Sequence, residues 1–351
     1  MSMTSKKIIM AAGGSGGHLF PAMAAARKLL DLRLEPVFIG VGLDQTPFFD
    51  RDQFTYFSIL GCSINRKNWF KAPFLLMAGF FKSLLLIYHL KPKMIVGFGS
   101  YHSFPIQLAA YFFKIPAILF EPNLELGKVN AFFFRRCLSC LSYFSLNLPK
   151  SQQIHALKPL KKVERLLAKK TLQITSDKPV FLIMGGSQGS KVINEAVLTL
   201  DPWILKEFFV IHLAGNPIQA ELIAIFYRQH QIESLVKPFS DQMEEILSLT
   251  DCMLARSGAS TLLEAISYQI PTFFIPYGDD SKGHQYANAT YFVEHLKGGA
   301  MMSQKDLKKE NWKKAFTDFL NNKETFRSHL QANASGESKV DFSDVLMNFI
   351  K

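Results

Sequence analysis

Two glycine-rich segments, each behind a short apolar run, carry much of what this sequence offers for chemistry. The first is Gly13-Gly14-Ser15-Gly16-Gly17-His18, which follows Lys6 to Ala12. Glycine at such a turn lets backbone N–H groups approach an anion closely, and a helix that starts there adds the positive end of its dipole. The segment therefore suits a phosphate. It is not a dinucleotide fingerprint, because no acidic residue stands at the next strand end near Gly40, and it lacks the Gly-Lys-Ser/Thr of a P-loop. His18 sits where the helix begins and is a candidate general base; the bland alternative is a solvated helix-start histidine.

The second segment, Gly185-Gly186-Ser187-Gln188-Gly189-Ser190, follows Val180 to Met184 and adds Ser187 and Gln188, whose side chains donate to phosphate or sugar oxygens. A third, Arg256 to Glu264, follows the apolar run Cys252 to Ala255. A helix N-terminus behind Arg256 would neutralise a diphosphate, and Glu264 would accept hydrogen bonds from a ribose diol. Against this stands the reading of Thr261-x-x-Glu264 as a capping box. His284, Gln285 and Asn288 offer groups for sugar hydroxyls. Asp279-Asp280 reads as a solvated pair, not a metal site. Cys137-x-x-Cys140 has no second pair or neighbouring histidine and reads as part of a buried helix.

The elements that must hold these segments alternate in type. Apolar runs at Pro36 to Gly40, Met94 to Phe98, Ala117 to Phe120, Phe208 to Leu213, Cys252 to Ala255 and Thr272 to Ile275 alternate with helical patterns such as Pro21 to Leu30. That alternation predicts parallel sheets with ligands at the carboxyl ends of the strands. A chain of 351 residues accommodates two such domains. The Lys-rich stretch Lys150 to Lys178 suits a connection, which sets domains of 1–157 and 158–351, with the last helix expected to pack back on the first.

With 48% hydrophobic and 20% charged residues the composition is that of an ordered protein, and a net charge of +11 favours anionic partners. Its basic residues are dispersed, without a zinc-finger or aromatic RNA-binding signature, so nucleic acid is not expected. Four cysteines point to a reducing compartment, and Met1 to Lys7 lacks a signal-peptide apolar region, so a cytoplasmic location is expected. Phe74 to Leu90 is interrupted by Lys82 and His89 and reads as peripheral or buried.

Taken together, the segments resemble the MurG family of glycosyltransferases. The match rests on Gly13 to His18 with Phe20-Pro21, Gly97-Phe98-Gly99-Ser100-Tyr101, Glu121-Pro122-Asn123, Asn130, Gly185 to Gly189, Arg256 to Glu264, and His284-Gln285 with Asn288. The resemblance implies an α/β protein of GT-B fold, two Rossmann-like domains with parallel sheets facing a central cleft. It implies an inverting, metal-independent transferase without cofactor. That enzyme moves N-acetylglucosamine from UDP-N-acetylglucosamine to the 4-hydroxyl of an undecaprenyl-pyrophosphoryl-muramyl-peptide, lipid I to lipid II of peptidoglycan synthesis. The first domain would face acceptor and membrane, and the second would hold the UDP-sugar.

By matching position His18 is the base, and Ser15, Gly16, Gly17, Asn123, Ser187, Thr261, Glu264 and Gln285 contact the donor. Lys161, Gln188, Arg256 and Ala259 complete the substrate-binding set. The chain departs from the family where Leu157-Lys158-Pro159-Leu160-Lys161 replaces Gly-Asn-Pro-x-Arg, turning a bidentate phosphate clamp into a point charge. Ser100 replaces a glycine, Pro122 a glutamine, and Ser240 an apolar residue near the uracil. The implied location is peripheral, on the cytoplasmic face of the inner membrane. Trp69, Phe70, Phe74, Phe80 and Phe81, interspersed with Arg66, Lys67, Lys71 and Lys82, would meet anionic headgroups, unless the stretch is a core helix. Cell-division or wall-synthesis proteins are implied as partners. The alternatives are another GT-B transferase with a membrane-lipid acceptor, and a degenerate, non-catalytic nucleotide-sugar-binding protein.

Overall fold

The computed structural model describes residues 6–14, 16–62, 69–158, 160–186, 189–278, 283–308, 311–333 and 339–350. By packing, the chain divides into two units: unit 1 comprises Met1–Pro159 with Ser338–Lys351, and unit 2 comprises Leu160–Glu337.

Unit 1 is built on strands β1 (Lys7–Ala11), β2 (Glu35–Val41), β3 (Thr55–Ile59), β4 (Met94–Gly97), β5 (Ala117–Glu121), β6 (Ser139–Ser142) and β7 (Ser151–Gln153). They lie in the order β3-β2-β1-β4-β5-β6-β7, all pairs parallel, with Ile9 of β1 between Val37 and Ile95. Both faces of β1 are covered, since Ile8, Ile9, Met10 and Ala11 have no exposed surface; this is why the central strands read as unbroken apolar runs. On one face Ile9, Val37, Ile39 and Ile95 pack with Ile87, Ile106 and Ala109 of the helices Ala72–Leu90 and Phe104–Phe112.

Unit 2 repeats the plan with β8 (Val180–Met184), β9 (Phe209–Leu213), β10 (Ser234–Lys237), β11 (Thr250–Ala255), β12 (Thr272–Phe274) and β13 (Gly299–Met301), in the order β10-β9-β8-β11-β12-β13. Phe181, Ile183, Leu254 and Phe273 from this sheet pack with Ile193, Ile223, Trp312 and Phe316. In each unit the chain winds away on one side of its first strand and returns on the other. The loops after β1 and β4, and after β8 and β11, thereby diverge at a topological switch point, where such sheets bind ligands. Those four loops are the ones rich in glycine and polar residues.

The described segment from Lys339 onward belongs to unit 1. There Lys28 Nζ meets Asp341 Oδ2 at 2.7 Å, Lys6 Nζ donates to the Ile350 carbonyl, and the helix Phe342–Ile350 buries Phe342, Val345 and Leu346. Two sequence expectations change. Cys140 lies on β6, and Cys137 is the extended residue that ends the short 3-10 turn Phe134–Arg136, so the cysteine pair does not sit on a buried helix; burial raises both thiols, Cys140 to about 12, and leaves them unreactive. The helix Ala72–Leu90 is no core helix. Among the described residues it alone is long and apolar enough to cross a bilayer. Only Ala72, Gly79, Ser83 and Ile87 are buried, one face seated on the unit, while Phe74, Met77, Phe81, Leu85 and Tyr88 are each more than half exposed.

Candidate active site

In unit 1 the loop after β1 turns into the helix Gly16–Asp31, which has no acidic residue in its first turn, so nothing on it cancels the positive end of its dipole. Gly14 takes φ +80°, and a Cβ there would fall 2.5 Å from His102 Nδ1. Only glycine fits, because the imidazole of His102 occupies the side-chain space. Gly16 is buried and Gly17 exposed. Ser15 lies outside the described residues.

His18, half-buried, places Nδ1 2.7 Å from the Phe98 carbonyl oxygen. That carbonyl belongs to the loop after β4, which also carries Ser100 and His102. Ser100 holds φ 69° and ψ 147°, a conformation that glycine adopts readily and other residues do not. Its Oγ lies 2.9 Å from His102 Nδ1. Burial, and then the nearby His18, hold the His102 imidazole below its ordinary value.

Behind this loop Glu121, 1% exposed, is the hub of a fixed polar cluster. Its Oε1 accepts from the Asn123 backbone N–H and from Asn123 Nδ2 (3.0 Å), and its Oε2 accepts from the Gly127 N–H and Asn130 Nδ2, each at 2.9 Å. Asn123 is therefore set in place by Glu121. Asn130 also donates to the Phe120 carbonyl, while its buried Oδ1 has no hydrogen-bond partner.

In unit 2 Gly189 of the loop after β8 takes φ +71°, and a Cβ there would meet the Gly215 Cα at 2.4 Å. Ser187 and Gln188 lie outside the described residues, as do Asp279 and Asp280. The loop after β11 opens the helix Ala259–Tyr268, whose N-cap is Gly258. Thr261 is thus the third helical residue and Glu264 the sixth, so the capping-box reading is out of register. Its N-cap residue supplies no side-chain cap and its first turn holds no acidic residue; its leading N–H groups, Ala259 among them, have no partner within the helix. Glu264 stands, half-exposed, a turn and a half in.

Arg256 is not placed as its charge alone suggests. It is 7% exposed, and its Nη1 donates to the carbonyls of Ile275 (3.0 Å) and Pro276 (2.9 Å), while Nη2 donates to Gln304 Oε1. These bonds clamp the loop after β12. Gln285 holds the same loop from the other side, its Oε1 accepting from the Tyr277 N–H, and Ser257 Oγ donates to the Gln285 carbonyl. Asn288, fully buried, donates to the Ser257 carbonyl. Lys161 is exposed, and its carbonyl accepts from Tyr268 Oη, at the opposite end of the helix from Gly258. Ser240 is buried, its Oγ accepting from the Gln242 N–H.

Sequence reasoning missed two groups. His102 stands one residue past the quoted glycine segment and had the same signal as His18, an imidazole in a loop at a strand end. Gln304 had none, because only the fold brings it to Arg256.

The geometry has counterparts in known proteins. Residues 8–142 match the glycosyltransferase family 28 N-terminal domain, and residues 180–346 match the family 28 C-terminal domain. The UDP-N-acetylglucosamine--N-acetylmuramyl-(pentapeptide) pyrophosphoryl-undecaprenol N-acetylglucosamine transferase of Protochlamydia amoebophila is 32% identical over 325 residues, 87% of this chain and 85% of that protein. The transferase of the same name from Chlamydia pneumoniae is 30% identical over 353 residues, 96% of each chain. Among solved structures, Acinetobacter baumannii MurG superposes with a TM-score of 0.77 at 24% identity, over 98% of this chain and 99% of that one. Medicago truncatula UGT71G1, complexed with UDP-glucose, superposes with a TM-score of 0.69 at 14% identity, over 99% of each chain.

Proposed function

The chain belongs to glycosyltransferase family 28, among the MurG transferases of GT-B fold, and from that premise we infer that it transfers N-acetylglucosamine from UDP-N-acetylglucosamine to the 4-hydroxyl of a lipid-linked N-acetylmuramyl-peptide. Unit 1 takes the acceptor, with its pyrophosphate on the loop Gly13 to Gly17. Unit 2 takes the donor.

The acceptor oxygen attacks the anomeric carbon as its proton passes to His18 Nε2; the bond to the β-phosphate oxygen breaks, that oxygen keeps the electron pair, and UDP leaves with the configuration inverted. The observation that carries this is the His18–Phe98 bond. A carbonyl oxygen only accepts, so His18 Nδ1 holds the proton and the neutral ring's lone pair lies on Nε2. A general base so fixed contributes roughly 10²- to 10⁴-fold.

The charge that builds on UDP meets the uncapped start of the helix Ala259–Tyr268 and the glycines Gly185, Gly186 and Gly189, backbone dipoles that need no metal. Ser187, Gln188 and the Thr261 hydroxyl add donors, Glu264 accepts from the ribose hydroxyls, and Gln285 meets the sugar. Arg256 acts as a fixed charge and loop clamp, with three of its hydrogen bonds made to two carbonyls and Gln304. Lys161 contributes an exposed charge.

The membrane face is the outward stripe of the helix Ala72–Leu90 with Trp69 and Phe70. From Trp69 to Lys150 the sequence holds nine Lys and Arg against two Glu, one of which is the buried Glu121. Exposed aromatic side chains in so basic a part of the chain suit an anionic bilayer surface on the cytoplasmic face. Of the cations placed there by sequence, Arg66 and Lys67 lie outside the described residues. Phe80 turns inward, 5.5 Å from the Phe112 ring, and leaves the patch.

The test is an assay of purified protein with UDP-N-acetylglucosamine and a lipid-linked muramyl acceptor. Turnover that survives EDTA is expected, and absence of transfer to that acceptor overturns the reading.

A further inference from the structure

Unit 1 holds a second imidazole beside its glycine loop. His102 fills the space next to the Gly14 Cα, its ring half-buried, and a Cβ on Gly13 would lie 3.2 Å from His102 Cβ. The ring therefore forms one wall of the loop. Its Nδ1 is engaged by Ser100 Oγ at 2.9 Å, and Ser100 Oγ also accepts from the His102 backbone N–H. This holds the ring through Nδ1 with its Nδ1–Cε1 edge against Gly14, and Nε2 makes no hydrogen bond among the described residues.

Among the described residues, the titratable side chain that bears on His102 is His18, from the helix Gly16–Asp31, and the two imidazoles disfavour charge on one another. The other elements against its turn add none: β2 brings Gly40 and Val41 to this end, with Glu35 at its far end, and the helix Phe104–Phe112 has Tyr111 as its one titratable side chain, near its far end. Tyr101 adjoins on the same turn. With no carboxylate acting on it among the described residues, an imidazolium here would be paired by a bound anion.

We propose that His102 is a ligand of the acceptor's pyrophosphate, donating from Nε2 to a phosphate oxygen and carrying a positive charge only while that anion is bound. This rests on the reading that the glycine loop takes the acceptor. It divides the two histidines by role: His18 stays neutral to accept the hydroxyl proton, and His102 charges to hold the substrate. It also makes acceptor binding stronger as pH falls, because the complex takes up a proton that the free enzyme does not hold.

The test uses the full chain with its nine histidines labelled at Cε1, and dimethyl pyrophosphate, a diester whose charge is fixed across the titration. The probe should raise the His102 midpoint by about one unit or more, as an adjacent opposite charge does. In kinetics the acceptor KM should rise about tenfold as pH is raised through the bound-state midpoint, with the donor KM flat. His102→Gln and His102→Asn should both abolish that dependence, and two variants guard against a misfolded one. If the probe shifts the Gly14, Gly16 and Gly17 amides but leaves His102 unmoved, or if both variants keep the wild-type KM profile, the proposal fails. If the probe perturbs none of those amides, the assignment of the loop to the acceptor fails instead.

Discussion

His18 Nδ1 and the Phe98 carbonyl oxygen lie 2.7 Å apart, joining the helix start after β1 to the loop after β4. The bond fixes both the tilt of the ring and its tautomer. His18→Ala should lower kcat by roughly 10²- to 10⁴-fold with the donor KM little changed. Full activity in that variant, measured over a pH series, would remove His18 as the base.

Gly258 offers a test in which stability and binding move apart. Its φ of −64° suits any residue, and a Cβ there meets nothing within 4 Å. Gly258→Asp should cap the helix and raise stability by a few tenths of a kcal/mol. The same carboxylate would repel UDP and cost about tenfold in its affinity. Melting curves and calorimetric UDP titration read the two effects, and unimpaired UDP binding would place the diphosphate elsewhere.

His212 carries an acid sensitivity unrelated to catalysis. Fully buried, it bonds through Nδ1 to Tyr227 Oη (2.9 Å) and through Nε2 to Asn194 Oδ1 (3.1 Å), and burial lowers its pKa from 6.5 to about 3. Between those values the unfolded chain binds the proton and the folded one does not, so stability rises with pH across that window and is lost as pH falls below about 6.5. Urea unfolding at several pH values should show this slope, and His212→Gln should flatten it. An equal slope in the variant would assign the acid sensitivity to other groups.

Phe74 and Phe81 are 67% and 57% exposed and stand two turns apart on the outward stripe. Phe74→Ser with Phe81→Ser should reduce binding to vesicles containing anionic lipid by more than about tenfold, since each ring buried in a bilayer is worth roughly 1.5 kcal/mol or more. Melting temperature should hardly change, because both rings are more than half exposed and neither belongs to the buried core. Sedimentation with neutral and anionic vesicles reads the outcome, and undiminished binding would move the membrane face elsewhere.

The central strands were legible because burial on both faces makes them continuous apolar runs ended by glycine, as Val180 to Met184 is. The edge strands were not: Thr55–Ile59, Ser151–Gln153 and Ser234–Lys237 owe their conformation to a neighbour's hydrogen bonds more than to their own composition. The cysteine pair misled because the phenylalanines before it continue a helical pattern that stops at Arg136. An apolar helix such as Ala72–Leu90 has no polar face to reveal its orientation, so the exposed stripe needed the fold. Sequence showed that Arg256 carries charge beside a strand end; which acceptors it meets depends on the loop after β12. The frame of Thr261 and Glu264 likewise turned on where the helix begins, at Gly258 and not at Thr261.

Because residues 338–351 complete unit 1, unit 2 is an insertion within it. A ribosome releases every residue of unit 2 before the strip that carries Asp341 and Phe342, so the second sheet is free to close while the first still lacks its final helix. Early release of the nascent chain would then spare unit 2 and leave unit 1 unfinished.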